Sequence, residues 1–446
     1  MTTLTEETKA GTAREPAWLA RYREKRVTAD VALEQLQSGM RVYIHAGCAV
    51  PEPLVEAMMR RGPAVENVEV VHLMNMGIAP YADPGWEGHF RHRSLFTGKN
   101  VRDAVQAGRA DFVPIFLSEI PGLFLNRILP VDIALIQVSP PDEHGFCSFG
   151  VGVECTMAAA QNAKIVIALV NQRMPRVHGD NFIHVNRLHY VVEVSRPLAE
   201  LPRVRMTELH QNIGKFVADM IEDGSTLQMG IGGIPDAVLY HLRDKRDLGI
   251  HTEMFSDGLV ELVEAGVITG TRKTLHPGKV IASFVLGTRP LFDFIHDNPV
   301  VEFHPSNYVN DPFIVAQNDK MVAINSAIQV DLTGQVCSDS MGYHIYSGIG
   351  GQVDFIRGAA RSKGGIPVLG LPSTAKKDTV SRIVLNLDEG AGVVTSRGDV
   401  HWVVTEFGTA FLHGRSIRER ARALIAIAHP KFRDELTFQA KQQHFI

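Results

Sequence analysis

An internal repeat constrains the fold of this chain more than any other feature of its sequence. Residues 36–47 run into a proline-led helical pattern at 51–55, and residues 221–230 run into a matching pattern at 235–239. In each copy a charged stretch follows, and then a second apolar run. The repeat predicts two tandem α/β units of similar fold, one in each half of the chain.

Apolar runs of strand length alternate with helical patterns throughout both halves. Apolar strands separated by helices are typical of mostly parallel sheets that are covered on both sides. In the first half, strands are predicted at 42–45, 68–74, 112–117, 131–138 and 164–170, and helices at 53–60 and 156–162. In the second half, strands are predicted at 227–229, 250–254, 280–285, 300–303, 321–330, 366–371, 382–385 and 402–405, and helices at 206–222 and, as the final element, 415–427.

The length of the chain favours two domains. At 446 residues it exceeds the usual size of a single hydrophobic core. Pro197 and Pro202 interrupt both the helical and the strand patterns and so mark a linker. We therefore expect an N-terminal α/β domain at 1–200 and a C-terminal α/β domain at 201–446.

Composition excludes several classes of function. The formal net charge of -4 gives no electrostatic basis for binding nucleic acid or an anionic membrane. The first residues lack the basic and apolar regions of a signal peptide, and apolar runs such as 165–170 are too short to span a bilayer. The four cysteines lack CxxC spacing and the 19 histidines lack HExxH spacing, so neither disulfides nor a metal site are expected. A cytoplasmic protein fits these features.

The second copy of the repeat carries a carboxylate where its second strand should end. Glu253 occupies this place, and the carboxyl ends of parallel strands are where α/β sheets bind ligands. When the two copies are aligned, His72 matches His251, and Glu253 of the second copy falls opposite Met74 of the first. The glycine-rich residues 230–235 follow the neighbouring strand. An isolated Glu at such a place is usually a solvated loop acid, but the adjacent glycine loop favours a site.

Further polar and glycine-rich loops are concentrated in the second half. Residues 346–355 precede a helical pattern, so their backbone N–H groups could meet an anion or a developing oxyanion. Any one of these loops could be an ordinary turn, whereas several on one half of the chain favour a binding site. The others are residues 303–312, 362–365 and 373–378.

Two other chemistries are disfavoured by spacing. Residues 139–150 form a long polar loop, but Ser148 stands three residues after Gly145 and does not fit a G-x-S-x-G nucleophile elbow. We therefore expect this loop, including Cys147, to line a site rather than to supply a nucleophile. A nucleotide-binding dehydrogenase is disfavoured because Pro235 follows the glycines at 230–233 in place of the third fingerprint glycine.

The motifs at 230–235, 251–254, 347–355 and 404–408 together resemble the acetyl-CoA hydrolase/transferase family of class I CoA-transferases. Within that family the sequence is most similar to the members that use 4-hydroxybutyrate. The resemblance implies two tandem α/β domains with an active site between them, and a ping-pong transfer of CoA between carboxylic acids. It also implies acyl-CoA as the substrate, no other cofactor, and a homodimer or higher homo-oligomer.

The resemblance also implies roles for individual residues. Glu253 would be the nucleophile that carries the acyl group and then CoA. Contacts to CoA and to the oxyanion are expected from Gly230, Ile231, Gly232, Gly233, Ile234, Asn307, Asn325, Gly348, Gly350, Gly351 and Lys376.

The motifs leave the acceptor open. Short-chain acids such as 4-hydroxybutyrate, butyrate and acetate are expected, and water as the acceptor would make the protein an acyl-CoA hydrolase. A dicarboxylate such as succinate or itaconate is a further alternative, because Arg91, Arg93 and Arg173 could hold a second carboxylate. A non-catalytic CoA-binding protein is disfavoured by the intact Glu253.

Overall fold

Two sheets organise the computed structural model, which describes residues 15–446. The first half of the chain builds one of them. Its helices are α1 (Ala17–Glu24), α2 (Ala29–Leu33), α3 (Glu52–Arg61), α4 (Arg102–Gln106), α5 (Ile120–Leu125) and α6 (Thr156–Asn162). Its strands are β1 (Arg41–Ile44), β2 (Val68–His72), β3 (Phe90–Ser94), β4 (Ala110–Phe112), β5 (Ile133–Val138), β6 (Phe146–Ser148), β7 (Ile165–Asn171), β8 (His178–Gly179), β9 (Phe182–His184) and β10 (Tyr190–Val194).

The first sheet is parallel throughout, in the order β10-β7-β5-β1-β2-β3-β4. Every residue of β5 is buried, as are nearly all of those in β7, because helices cover both faces of the sheet. This explains why both strands read as uninterrupted apolar runs.

The second half supplies a larger set of elements. Its helices are α7 (Glu208–Asp219), α8 (Gly233–His241), α9 (Asp257–Glu264), α10 (Arg289–Ile295), α11 (Ser306–Val309), α12 (Pro312–Val315), α13 (Gln352–Arg361), α14 (Ile417–Ile427) and α15 (Pro430–Gln442). Its strands are β11 (Thr226–Met229), β12 (Gly249–His251), β13 (Met254–Phe255), β14 (Val280–Ala282), β15 (Phe284–Val285), β16 (Val301–Phe303), β17 (Met321–Ser326), β18 (Gln329–Asp331), β19 (Val336–Cys337), β20 (Ser340–Met341), β21 (His344–Ile345), β22 (Ile366–Gly370), β23 (Thr374–Ala375), β24 (Val380–Ser381), β25 (Ile383–Val384), β26 (Trp402–Thr405) and β27 (Gly408–Phe411).

The second sheet has the order β27-β26-β22-β17-β11-β12-β14-β16-β8. All its neighbours are parallel except β26 and β27, which form an antiparallel hairpin. One edge strand, β8, comes from the first half of the chain and pairs with β16.

The two sheets repeat one topology. The order β5-β1-β2-β3 in the first sheet matches the order β17-β11-β12-β14 in the second. His72 ends β2 and His251 ends the corresponding β12, as the alignment of the two copies requires. The prediction of two similar, mostly parallel α/β units is therefore confirmed.

Four predicted strands and the prediction of the final helix differ from the structure. The strands predicted at 280–285 and 321–330 each form two strands, β14 with β15 and β17 with β18. β4 ends at Phe112, because Pro114 has no backbone N–H to continue a ladder, and residues 113–117 are not a strand. The strand predicted at 250–254 is interrupted and forms β12 and β13. Helix α14 is not the final element, because a further helix, α15, begins at Pro430.

The halves meet in one apolar core. Tyr43 and Val138 from the first half belong to the same buried cluster as Ile250 and Val285 from the second. Residues 195–207 contain no regular element, and the division at 200/201 stays a prediction. No helix between residues 15 and 446 combines the length and the apolar character needed to cross a membrane.

Candidate active site

Glu253 lies in the interruption between β12 and β13. Its backbone carbonyl accepts hydrogen bonds from the N–H groups of Ser283 and Phe284, at 2.9 and 3.3 Å. Thr252 Oγ1 donates to the carbonyl of Met254 at 2.9 Å and so fixes the backbone on the other side. The half-buried Glu253 side chain is thereby held at the carboxyl end of β12, where the sequence predicted a ligand site.

Two groups from distant loops hold the Glu253 carboxylate. Asn310 Nδ2, just after α11, donates to Glu253 Oε2 at 3.0 Å. The backbone amide of Gly351 faces the same carboxylate. A Cβ at Gly351 would stand 1.9 Å from Glu253 Oε2 and 2.2 Å from Asn310 Nδ2, so only glycine fits there.

Burial raises the pKa of Glu253 from its ordinary value of 4.5 to about 7. The hydrogen bonds from Asn310 and Gly351 act in the opposite direction, because they stabilise the charged form, but burial dominates. A carboxyl group whose pKa lies near neutrality, and which groups from distant loops hold in place, is typical of a functional site.

The glycine loop 230–234 leads from β11 into α8 and presents bare backbone. An added Cβ at Gly230 or Gly232 would meet no atom within 4 Å among the residues described. Gly232 has φ 110, which disfavours any side chain. Asn325, at the end of the neighbouring β17, exchanges amide hydrogen bonds with Gln228 at 3.0 and 3.4 Å. The loop therefore faces space that a ligand could occupy.

The second glycine loop, which precedes α13, docks against the first half of the chain. A Cβ would approach Phe96 to 2.9 Å at Gly348 and to 3.2 Å at Gly350. Gly350 has φ 60 and forms a β-bridge with Phe116. The first half of the chain thus contacts the loop whose next residue, Gly351, faces the Glu253 carboxylate.

Two residues implied by the resemblance lie on the surface. Asn307 is an exposed residue of α11, and Lys376 is exposed in the turn between β23 and β24. Lys376, Lys377 and Asp378 have φ values of 50, 56 and 61, a run of left-handed residues that is costly without glycine. A contact of Asn307 or Lys376 with CoA stays a prediction.

Sequence reasoning missed two residues at this site, Asn310 and Asp354. Asn310 lies in the loop 303–312, and Asp354 lies in the loop 346–355, both of which the sequence had singled out. The buried Asp354 carboxyl also faces the Asn310 amide, and burial raises its pKa to about 7. Their spacing along the chain carried no signal, since both act through contacts with residues far away in sequence.

Cys147 and Ser148 are buried in the first half rather than exposed on a loop. They belong to β6, so the predicted loop 139–150 is partly a strand. Burial raises the pKa of the Cys147 thiol to about 12, which leaves it protonated and inert. Ser148 Oγ donates to the carbonyl of Val177 at 3.3 Å and accepts from Asn181 Nδ2 at 3.2 Å. These contacts agree with the view that neither is a nucleophile.

Two of the arginines considered for a second carboxylate already have acidic partners. Arg91 forms two hydrogen bonds with Asp111, at 2.5 and 2.6 Å. Arg93 donates to Glu69 at 2.5 Å. Arg173 is exposed.

Residues 15–446 contain no group of three or more His, Cys, Asp or Glu side chains that could hold a metal ion.

Comparison with known proteins gives matches along nearly the whole chain. Residues 13–201 match the family model described as the acetyl-CoA hydrolase/transferase N-terminal domain, and residues 287–440 match that described as the C-terminal domain. The chain is 52% identical to 4-hydroxybutyrate coenzyme A transferase from Clostridium kluyveri, over 96% of this chain and 99% of the relative. It is 50% identical to succinyl-CoA:acetate/propanoyl-CoA:succinate CoA transferase from Fasciola hepatica, over 90% of this chain and 84% of the relative.

A solved structure has the same fold. The crystal structure of RipA from Yersinia pestis superimposes with a TM-score of 0.92 at 37% identity, covering 97% of this chain and 100% of RipA. The fold that carries Glu253 is therefore shared with this solved protein.

Proposed function

The chain belongs to the acetyl-CoA hydrolase/transferase family, and we propose that it transfers CoA from an acyl-CoA to a short-chain carboxylate through Glu253. The family resemblance seen in the sequence is thus confirmed, and CoA-transferase activity follows from it. The observation that carries the proposal for Glu253 is its carboxylate, held by Asn310 and Gly351 at a strand end between the two halves.

The two oxygens of the Glu253 carboxylate differ in their hydrogen bonds, which suggests a different role for each. Oε2 takes the hydrogen bond from Asn310, whereas no side chain of residues 15–446 donates to Oε1. Oε1 is therefore the oxygen free to attack. In the first step it attacks the thioester carbonyl carbon, the carbon–sulfur bond breaks, and CoA leaves as the thiolate. The product is an acyl-glutamyl anhydride.

The returning CoA thiolate then attacks the glutamyl carbonyl carbon. Negative charge develops on Oε2, to which the Asn310 amide already donates, and such a donor is worth about 3 kcal/mol. The Gly351 N–H also faces this carboxylate. The first acid leaves as its carboxylate, and Glu253 carries CoA as a thioester. A second carboxylate reverses both steps. Protons and electrons balance without any other reactant.

The acceptor is proposed to be a monocarboxylate of the 4-hydroxybutyrate, butyrate or acetate type. Support comes from the Clostridium kluyveri relative, which is named for 4-hydroxybutyrate. Arg91 and Arg93 are neutralised by Asp111 and Glu69, which argues against their holding a second carboxylate. The relative from Fasciola hepatica is named for succinyl-CoA, so succinate and itaconate belong in the test panel.

One experiment tests the nucleophile. The protein is incubated with acyl-CoA in the absence of an acceptor, digested, and examined by mass spectrometry. The peptide containing Glu253 should gain the mass of CoA less one water, and borohydride should inactivate the protein only after exposure to acyl-CoA. A CoA adduct on another residue, or full activity in Glu253→Ala, would overturn the proposal.

A second experiment separates transferase from hydrolase and ranks the acids. Release of free CoA and formation of the acid's CoA thioester are both measured with and without acetate, and kcat/KM is compared for 4-hydroxybutyrate, butyrate, acetate, succinate and itaconate. A transferase turns over only when an acid is present. Steady CoA release without any acid would identify a hydrolase.

The assembly and compartment are also proposed. Closed symmetric oligomers are the common state of soluble enzymes, and the exposed side chains of Leu125, Ile128 and Phe146 offer apolar surface for a homodimer. Light scattering that gives the mass of a single chain would exclude a homodimer.

The state of the cysteines supports a reducing compartment such as the cytoplasm. All four are free and buried, namely Cys48, Cys147, Cys155 and Cys337.

A further inference from the structure

A second carboxyl group, that of the buried Asp354, joins the two halves of the chain close to Glu253. It lies in the first turn of α13 and is 4% exposed. Ser118 of the first half donates to it twice, from Oγ to Oδ1 at 2.8 Å and from the backbone N to Oδ2 at 3.1 Å. An acid in the first turn of a helix often serves its own helix. Both carboxylate oxygens of Asp354 instead accept hydrogen bonds from Ser118, in the other half of the molecule.

Leu117, next to Ser118, forms hydrogen bonds with both of the loops that hold Glu253. Leu117 N donates to the carbonyl of Gly350 at 3.0 Å, directly before Gly351. Ser306 Oγ, at the start of α11, donates to the carbonyl of Leu117 at 2.9 Å. Helix α11 ends immediately before Asn310. One short segment of the first half thus fixes both partners of the Glu253 carboxylate.

The Asn310 amide connects the two acids. Its NH₂ group has two hydrogens; it donates to Glu253 Oε2 at 3.0 Å and also faces the Asp354 carboxyl. Burial raises the pKa of both acids to about 7, and the charge of Glu253 adds to the rise at Asp354. Arg357, one turn along α13, also faces Asp354 but is paired with Asp399.

We propose that Asp354 is a positioning residue for the transfer reaction, which Ser118 of the first half holds in place and which aims the Asn310 amide and the Gly351 loop at Glu253. This inference rests on the proposed function of Glu253. Asp354 does not touch the substrate; it acts through Asn310 and through the helix that follows Gly351.

Four variants test this role. Asp354→Ala should lower kcat by tenfold to about a hundredfold, the scale expected when a reacting group is misplaced by about 1 Å. The KM for acyl-CoA should change little. Asp354→Asn should recover most of kcat, because its amide has the shape of the carboxyl group and can exchange hydrogen bonds with Ser118. Ser118→Ala should lower kcat less than Asp354→Ala, and the double variant should be no slower than Asp354→Ala alone.

The pH profile separates positioning from mere stabilisation of the fold. In Asp354→Asn a neutral group replaces an ionisable neighbour of Glu253, so the acid limb of kcat/KM should move to lower pH. An acid limb identical to that of the wild type, wild-type kcat in Asp354→Ala, or additive effects of the Ser118 and Asp354 substitutions would each overturn the inference. If Asp354→Ala does not fold, the profile of Asp354→Asn decides.

Matched controls come from each half. Asp331→Asn changes a buried aspartate whose side-chain bonds stay within its own turn, to Thr333 and Gln335. Ser148→Ala changes a buried serine whose side chain bonds only within the first half. Both should keep the wild-type acid limb. A wild type without a CoA adduct on Glu253 contradicts the proposed function, whereas an adduct with wild-type behaviour of all Asp354 variants contradicts only this inference.

Discussion

A methyl group at Gly351 would lie 1.9 Å from Glu253 Oε2, far inside the contact distance of two non-bonded atoms. Gly351→Ala must therefore displace the carboxylate or the loop, and we expect a loss of turnover of about a hundredfold or more. The adduct of CoA on Glu253 should disappear in parallel. Gly398→Ala is the control, because its Cβ would meet only Ser396 Oγ at an ordinary 3.6 Å. Near-normal turnover in Gly351→Ala would show that the carboxylate does not react in this position.

Replacement of Glu253 should separate binding from chemistry. Glu253→Ala should abolish transfer yet retain acyl-CoA binding, because the cofactor would be held by the loops rather than by this side chain. Glu253→Asp withdraws the carboxylate by one methylene, and about a hundredfold loss is expected. Isothermal titration calorimetry with a non-reactive CoA thioether measures binding. A discontinuous assay of CoA exchange between acyl-CoA and acetate measures turnover. Loss of binding in Glu253→Ala would assign the residue a role in holding the ligand.

Activity should have an acid limb near pH 7. The nucleophile must be ionised, and burial raises the pKa of Glu253 to about 7, so kcat/KM for acyl-CoA should rise with pH and level off above that value. Because Asp354 interacts with Glu253, the limb belongs to the pair of acids. Exchange rates from pH 5 to pH 9 check this. A profile that is already flat from pH 5, as expected if the pKa of Glu253 kept its ordinary value of 4.5, would contradict the raised pKa.

Gly230→Ala should weaken substrate binding without affecting the fold. The added Cβ would meet no described atom within 4 Å, so the protein itself has room for it. If CoA approaches this backbone, the methyl group stands in its way, and we expect the KM for acyl-CoA to rise by about tenfold, equivalent to roughly 1.4 kcal/mol. The melting temperature should not change. Gly85→Ala, which is equally unobstructed, should leave KM unaltered. An unaltered KM in Gly230→Ala would place CoA elsewhere.

Glu154→Gln should stabilise the protein increasingly as pH rises. Glu154 is 2% exposed, and burial raises its pKa from 4.5 to about 7. The folded state therefore keeps a proton that the unfolded chain loses, so the free energy of unfolding falls between pH 4.5 and pH 7, by at most about 3 kcal/mol. Glutamine retains the hydrogen bond from Thr156 Oγ1 and removes this loss. Urea unfolding at pH 5 and pH 8 measures the difference. The exposed Glu264→Gln is the control, and an effect independent of pH would contradict the prediction.

The position of Glu253 could be predicted because the repeat and the strand pattern are local in sequence. The chain shows an apolar run, a glycine loop on the strand before it, and an acid where the run ends. What the pattern could not predict is the interruption between β12 and β13, since it depends on hydrogen bonds from Ser283 and Phe284 to the Glu253 carbonyl. Asn310 and Asp354 were missed for the same reason.

Other errors arose where a tertiary contact overrides the local pattern. Strand β3 was not predicted, because Arg91 and Arg93 give it a charged appearance, yet Asp111 and Glu69 on the neighbouring strands neutralise both. Conversely, residues 113–117 are apolar but bind the Gly350 loop instead of extending the sheet. In both places the partner that decides the structure is distant in sequence.

The pairing of β8 with β16 makes the two repeats inseparable. Gly179 lies so close to β16 that a Cβ would stand 2.3 Å from the carbonyl oxygen of Phe303. The contact between β8 and β16 therefore requires a glycine at this position. A cut through the linker at 196–202 would leave the second fragment with the bare edge of β16, a row of unpaired N–H and C=O groups that invites aggregation. Neither repeat is thus a module that can be transplanted by itself. In a chimaera between relatives, a single crossover in the linker separates β8 from β16, whereas one before His178 separates β10 from β7, so both strand pairs have to be matched.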